Sequence, residues 1–374
     1  MEFIDLVAQQ ARIREDINAR IAEVLDRGQY IMGPEVHELE DKLAAFCGAK
    51  YCISCANGTD ALQLALMALN VRAGDAVFVP SFTFAATAEI VPPTGATPIF
   101  VDVCEDSYNL DVQSFQRAIE YARSINLRPA CVIPVDLFGL PADYDTIEEV
   151  AKQERMAIIA DSAQGFGATY RGRKTGAIGD IATTSFFPAK PLGCYGDGGA
   201  LFTDDEDIAR LIRSYRIHGK GSHKYDNERI GINSRLDTLQ AAILLAKLEI
   251  YQDEIDARQE VAKRYESGLA NVLHTPKVPV GSKSVWAQYT IRPRNGRDRN
   301  TEIQRLTAAG VPTAIYYPHP LHQQTAYRNF PGDPNGLVVS ERLSQEVFSL
   351  PMHPYLDVDT QEQIIAVIAR DSGS

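Results

Sequence analysis

Between residues 51 and 161 the chain alternates short apolar runs with longer amphipathic ones. Tyr51–Cys55, Ala76–Pro80, Pro98–Val101, Ala130–Val135 and Met156–Ala160 read as strands, and Ala61–Leu69, Thr83–Val91, Val112–Tyr121 and Tyr144–Glu154 read as helices. Strands of four to six apolar residues are buried on both faces, as parallel strands joined by helical crossovers must be. The pattern predicts an α/β fold on a mostly parallel sheet flanked by helices. On such sheets ligands bind beyond the carboxyl ends of the strands. The loops after Cys55, Pro80 and Val135, and Asp161 itself, lie at such ends.

Chemistry concentrates in residues 158–202. Asp161 ends a strand and Gln164 follows it. A strand-like run then reaches Ser185-Phe186-Phe187-Pro188 and delivers Lys190 into a Gly- and Pro-rich loop. Most lysines are solvated surface groups, and this setting is a poor one for a surface charge. A desolvated lysine condenses with an aldehyde cofactor and, once released, moves a proton as base and then acid. A shielded carboxylate at Asp161 suits a protonated pyridine nitrogen, Gln164 suits a ring hydroxyl, and Phe84 suits the ring face. The alternative for Asp161 is a helix N-cap, and for Phe84 a core position. Asn57-Gly58-Thr59 opens a helix after a strand, where free N–H groups and the helix dipole favour an anion. Ser185 has a hydroxyl to add to the same anion site, and a plain N-cap is the alternative.

Competing cofactor motifs are missing: no GxGxxG follows the first strand and no GxxxxGK[ST] occurs. The chain has 374 residues, too long for one ordinary core, which predicts a large domain over 1–250 and a small one over 251–374. Residues 9–27 and Glu35–Cys47 read as helices, the second stopped at Gly48. Beyond Thr203, Glu206–Tyr215 reads as a helix and 216–234 as a polar loop. Leu236–Ile255 and Gln259–Leu269 read as two helices. Val285–Arg292 and Thr313–Tyr317 read as strands, Thr301–Ala309, Ser340–Phe348 and Asp359–Arg370 as helices, and the final RDSGS as a frayed tail.

A net charge of -12 disfavours nucleic acid as partner. The absence of a continuous apolar run disfavours a membrane span or signal peptide and predicts a cytoplasmic protein. Within this acidic chain, residues 210–235 hold seven Lys or Arg (Arg210, Arg213, Arg216, Lys220, Lys224, Arg229, Arg235) against Asp226 and Glu228. That balance suits an anionic ligand, or else a solvated face. Cys52 and Cys55 form a C-x-x-C without the second pair that a zinc site requires. Their strand spacing points them to opposite faces, so they read as structural. The histidines give no metal-ligand spacing, and His319 and His322 read as substrate-facing or solvated.

The run SFFPAKPLGCYGDGG, with GQYIMGPEV at 28–36, NGTDALQLAL at 57–66, PSFTFAATAE at 80–89, DVCEDSYNLD at 102–111, GINSRLDTLQAAIL at 231–244, AIYYPHPLH at 314–322 and SLPMHPYL at 349–356, resembles the DegT/StrS-type nucleotide-sugar aminotransferases. The resemblance covers nearly the whole chain. It implies the aspartate-aminotransferase fold of pyridoxal 5'-phosphate (PLP) enzymes, fold type I, with a mostly parallel seven-stranded sheet and a smaller α/β C-terminal domain. It implies Lys190 as the cofactor-linked lysine, Asp161 on the pyridine nitrogen, Gln164 on the ring hydroxyl, Phe84 against the ring, and Gly58, Thr59 and Ser185 on the phosphate. It implies a homodimer with composite sites, Asn233 reaching over from the second subunit, and Arg235, Tyr316, Tyr317 and His319 on the substrate side. Within the family the likeness is to the branch that aminates the 3-keto group of a UDP-linked 2-acetamido hexuluronic acid, with L-glutamate as donor, for surface polysaccharide. Two rivals differ in class. A sugar dehydratase on this fold has histidine in place of the lysine, and a non-catalytic sensor has no need of Lys190, Asp161 and Gln164 together.

Overall fold

A computed structural model describes residues 1–223, 225–294 and 296–370. Lys224 and residues 371–374 of the expected tail lie outside them. Seven strands form the main sheet: β1 Tyr51–Cys55, β2 Asp75–Pro80, β3 Thr97–Val101, β4 Arg128–Val132, β5 Ala157–Asp161, β6 Ile181–Ser185 and β7 Gly199–Thr203. Their spatial order is β1-β7-β6-β5-β4-β2-β3. β3, β2, β4, β5 and β6 run parallel, and β7 is antiparallel to both β6 and β1.

Two-sided burial of these strands follows from alternation along each. In β2, Ala76 and Phe78 enter one core with the helices Pro34–Cys47, Val112–Ser124 and Tyr144–Glu154. Val77 and Val79 enter the other, against the helices Gly58–Ala68 and Glu206–Tyr215. Cys52 and Cys55 divide between the same two cores, and all six cysteines are free thiols. Helix Pro34–Cys47 ends where Gly48 adopts φ 85°, a left-handed stop that costs glycine little.

Several expectations need correction, among them the helix expected over Ser340–Phe348, which runs Val338–Glu346 and gives way to a strand at Phe348. The first helix starts at Leu6, capped by the Asp5 side chain, and is interrupted at Ile13 before resuming over Arg14–Arg27. The segment read as helix Thr83–Val91 keeps only one turn, Ala86–Glu89, because 81–85 lead off the strand end and Pro92–Thr94 form a 3-10 turn. Thr313–Tyr317 is no strand: Pro312 and Pro318 flank it and only Ala314 pairs, with Ser349. The two long helices are one, Thr238–Leu269, 32 residues without a proline. Within it Glu254 is buried and accepts from Gln9 and Tyr355, while buried Arg258 donates to the carbonyls of Trp286 and Met352.

That helix passes from the main core, which holds Ile255, into a second core that begins at Val261. Residue 250 lies inside it. The second core packs Tyr265, Ile291, Leu306, Phe348 and Ile364 around a small antiparallel sheet of β8 Leu273–His274, β9 Tyr289–Pro293 and β10 Phe348–Leu350. The strand expected from Val285 begins only at Tyr289. Before it, the amides of Val285 and Gln288 bond to the carbonyls of Gly139 and Phe138 on the large domain.

Candidate active site

Asp161 is the last residue of β5 and is buried, 5% exposed. Its Oδ2 accepts from Thr87 Oγ1 at 3.0 Å and its Oδ1 from the Ala163 amide at 3.2 Å. Burial pushes its pKa above the usual carboxylate range; the two donors and the charge of Lys190 oppose the rise. Asp161 is thus a buried carboxyl with two neutral donors, and a nearby cation favours its ionised form.

Lys190 sits half-buried in the loop after β6, positioned by its backbone amide on the Phe187 carbonyl. Its amine has no hydrogen-bond partner among the described residues. Desolvation pulls its pKa below the ordinary lysine value and Asp161 pulls it back up. Two contacts from the long helix hold the rest of this loop: Lys247 Nζ donates to the Gly193 carbonyl at 2.7 Å, and Gln240 Oε1 accepts from the Tyr195 amide at 2.9 Å.

Gln164 is oriented at both ends. Its Oε1 accepts from the Phe138 amide at 2.9 Å, and its Nε2 donates to the Tyr317 hydroxyl at 3.2 Å. The Tyr317 ring lies 6.4 Å from that of Phe84, whose side chain is 54% exposed. An exposed aromatic face beside a buried acid and a lysine is available to a flat ligand, and this separates Phe84 from a core phenylalanine.

The helix Gly58–Ala68 starts against Ser185. Asn57 takes the amides of Asp60, through its side chain, and Ala61, through its carbonyl. The amides of Gly58 and Thr59 remain at the helix end without a partner among the described residues. A Cβ on Gly58 would lie 2.7 Å from that of Ser185, so only glycine lets the helix approach so closely. Two amides, a hydroxyl and the positive end of an 11-residue helix fit a phosphate.

Asn233 and Arg235 lie elsewhere. They line a cleft of about 480 Å³ with Ile31, Asn57, Asp197 and Gln240, which includes neither Lys190 nor Asp161. Nε of Arg235 is buried there without a partner. Tyr316 packs near Phe3, their rings 6.4 Å apart, and His319 is exposed. His322 is part-exposed and engaged at both ring nitrogens: Nδ1 meets Ser81 Oγ at 2.6 Å and Nε2 meets Glu341 at 3.0 Å. The basic stretch is also less available than its charge count suggests. Arg216 is buried on Glu40 and the Ser54 carbonyl, Arg210 pairs with Asp207, and Arg229 with Glu228. Among the described residues no cluster of three His, Cys, Asp or Glu is placed to hold a metal, and no helix is long and apolar enough to cross a membrane.

Sequence reading missed Thr87 and Asp136. Thr87 follows Phe84 by three residues in the same turn, so a donor to the strand-end acid was legible in that spacing. Asp136 ends the VIPVD run, four residues past the end of β4 at Val132 and next to Val135, which bridges to Asp161; an acid closing an apolar run carried a signal like that of Asp161.

A lysine and a buried acid facing each other at the strand ends of this α/β fold, beside an anion-binding helix end, define the PLP-dependent aminotransferases of fold type I. The chain matches the DegT/DnrJ/EryC1/StrS aminotransferase family over residues 11–369, and it belongs to that family. It is 51% identical, over 98% of its own length and 99% of the relative's, to UDP-2-acetamido-2-deoxy-3-oxo-D-glucuronate aminotransferase of Pseudomonas aeruginosa. The crystal structure of a DegT DnrJ EryC1 StrS aminotransferase from Brucella abortus superposes with a TM-score of 0.98 at 52% identity, covering 100% of both chains. NtdA of Bacillus subtilis, solved with bound cofactor PMP, superposes with a TM-score of 0.87 at 29% identity, covering 98% of this chain and 82% of the other. The protein is a PLP-dependent transaminase.

Proposed function

We propose that the protein transfers an amino group from L-glutamate to the 3-keto group of a UDP-linked 2-acetamido hexuluronic acid, a step toward a diacetamido uronic acid of surface polysaccharide such as lipopolysaccharide O-antigen. The observation that carries this reading is the near full-length likeness to the Pseudomonas aeruginosa enzyme. The local geometry supports it. PLP, when bound, supplies the carbonyl that accepts the amino group and the ring that stabilises the electron pair left when a C–H bond breaks.

The chain's own residues do the rest. Asp161 holds the ring nitrogen protonated by charge pairing. Gln164 Nε2 faces the ring hydroxyl, and Phe84 covers one ring face. Gly58, Thr59 and Ser185 hold the phosphate. Lys190 Nζ, neutral more readily than an ordinary lysine, removes the proton from Cα of glutamate. In the return half-reaction it delivers a proton to C3 of the sugar. Tyr316, Tyr317 and His319 line the sugar's side. Arg235, with its planar fork, pairs with the sugar's carboxylate or the diphosphate.

The reading includes a homodimer in which Asn233 and Arg235 serve the second copy's site. Their cleft, which Lys190 does not line, supports it, as does the exposed Ile31 on the cleft wall. Six free cysteines support a cytoplasmic location. The test is turnover of 3-keto and 4-keto UDP- and dTDP-sugars by the purified protein, with glutamate as donor. The 3-keto UDP-uronic acid is expected to be preferred, and exclusive turnover of a 4-keto sugar defeats the assignment. Lys190→Ala is expected to lower kcat by about 10²–10⁴-fold from lost proton transfer alone.

A further inference from the structure

Behind Asp161 stands a second buried carboxylate. The Asp136 backbone amide donates to the Asp161 carbonyl at 3.0 Å, and its side chain is fully buried. Oδ1 accepts from the Tyr144 hydroxyl at 2.8 Å and the Ala142 amide at 3.0 Å. Oδ2 accepts from Ser162 Oγ at 2.6 Å. Gly165 lies against it so closely that a Cβ there would sit 2.3 Å from the Asp136 Cβ.

These contacts bracket the turn that bears Asp161 and Gln164: Ser162 ties one end to Asp136 and Gly165 packs the other. The 3-10 turn that begins just after Asp136 includes Phe138, whose amide fixes the Gln164 oxygen. Three converging donors favour an ionised carboxylate. Burial opposes this and pushes the Asp136 pKa up to about 7, with the charge of Asp161 adding to the rise. The groups facing Asp136 are Tyr144 from helix Tyr144–Glu154, Ser162 and Asp161 from the end of β5, and the Ala142 amide. No cation among the described residues pairs with it.

We propose that Asp136 is a positioning residue for transamination: it clamps the Asp161–Gln164 turn and sets, from behind, the negative potential at the cation that Asp161 pairs with. This rests on the reading that Asp161 pairs with the ring nitrogen of PLP. Negative charge behind that pair strengthens the hold on the ring proton, so removing it weakens the electron sink.

The test uses the PLP-loaded enzyme and Asp136→Asn, which keeps size and hydrogen-bonding capacity and deletes the charge. The midpoint of the pH titration of bound-cofactor absorbance is expected to fall by about one unit, the smaller end of what a neighbouring charge does. The value of kcat is expected to fall about tenfold, the equivalent of that unit, with KM for both substrates unchanged. A wild-type midpoint and kcat in Asp136→Asn overturns the proposal, whatever happens to Tm. If that variant does not fold, Tyr144→Phe carries the test. It removes one donor that favours the ionised form, and a smaller shift in the same direction is expected; an unmoved midpoint overturns the proposal. Asp161→Asn separates the two levels. Unchanged absorbance and PLP retention in Asp161→Asn defeats the ring-nitrogen reading itself. Their loss there, beside an unshifted Asp136→Asn, defeats only the role given to Asp136.

Discussion

At the scale of single residues, the site is a set of ionisable groups held away from their ordinary behaviour by burial. Asp161 and Asp136 are pushed up and Lys190 down, each with desolvation as the largest cause. Such shifts cluster where chemistry is done, and they are also stability terms. For Asp136 the sign is fixed. Its pKa is about 7 in the folded protein against 3.8 for an ordinary aspartate, so the folded state binds the proton more tightly. The stability linked to that proton is present at pH 4, falls as pH rises, and is gone above pH 7. Asp136→Asn is therefore expected to raise Tm relative to wild type at pH 8 and to leave it nearly level at pH 4, read by thermal melts at both values. Of this set, Lys190, Asp161 and Gln164 were legible in sequence because each sits at a strand end or in a Gly/Pro loop where a solvated side chain has no reason to be. The Gln164–Tyr317 bond was not legible, since it joins residues 153 positions apart.

At the scale of elements, strands read well and connections less well. A buried strand announces itself by a short apolar run, and strand Tyr51–Cys55 and helix Tyr144–Glu154 both appear with the bounds their patterns gave. The two helices expected over Leu236–Ile255 and Gln259–Leu269 are continuous, and nothing local reveals that Gln9, Tyr355 and two carbonyls satisfy the buried Glu254 and Arg258 near their junction. The basic stretch misled for a related reason: Arg216 is buried on Glu40 and the Ser54 carbonyl. Close approach of that helix to β6 is the element-level feature with the sharpest consequence. Gly58→Ala puts a methyl 2.7 Å from the Ser185 Cβ, both on backbone that cannot easily move. An overpacking cost of about 1–3 kcal/mol is expected. The helix end moves off Ser185, so PLP retention should fall more than apo stability does, measured by cofactor release on dialysis beside a denaturant melt.

At the scale of the whole molecule, the residues assigned to one site line two places in the chain. Lys190, Asp161 and Ser185 stand at the strand ends, while Asn233 and Arg235 line a separate cleft of about 480 Å³. Among the described residues no hydrogen bond or ion pair joins the two sets, and the buried Arg235 Nε has no partner. In the proposed symmetric dimer each cleft's residues would serve the other copy's lysine. Complementation tests it. Lys190→Ala and Arg235→Ala are each inactive or weak as homodimers. In a mixed dimer, one site receives both lesions and the other receives neither. Unfolding and refolding an equal mixture makes about half the dimers mixed, each with one intact site, so about a quarter of wild-type turnover should return. If the mixture regains no more than the average of the two parents, Arg235 works within its own chain and the composite site is wrong.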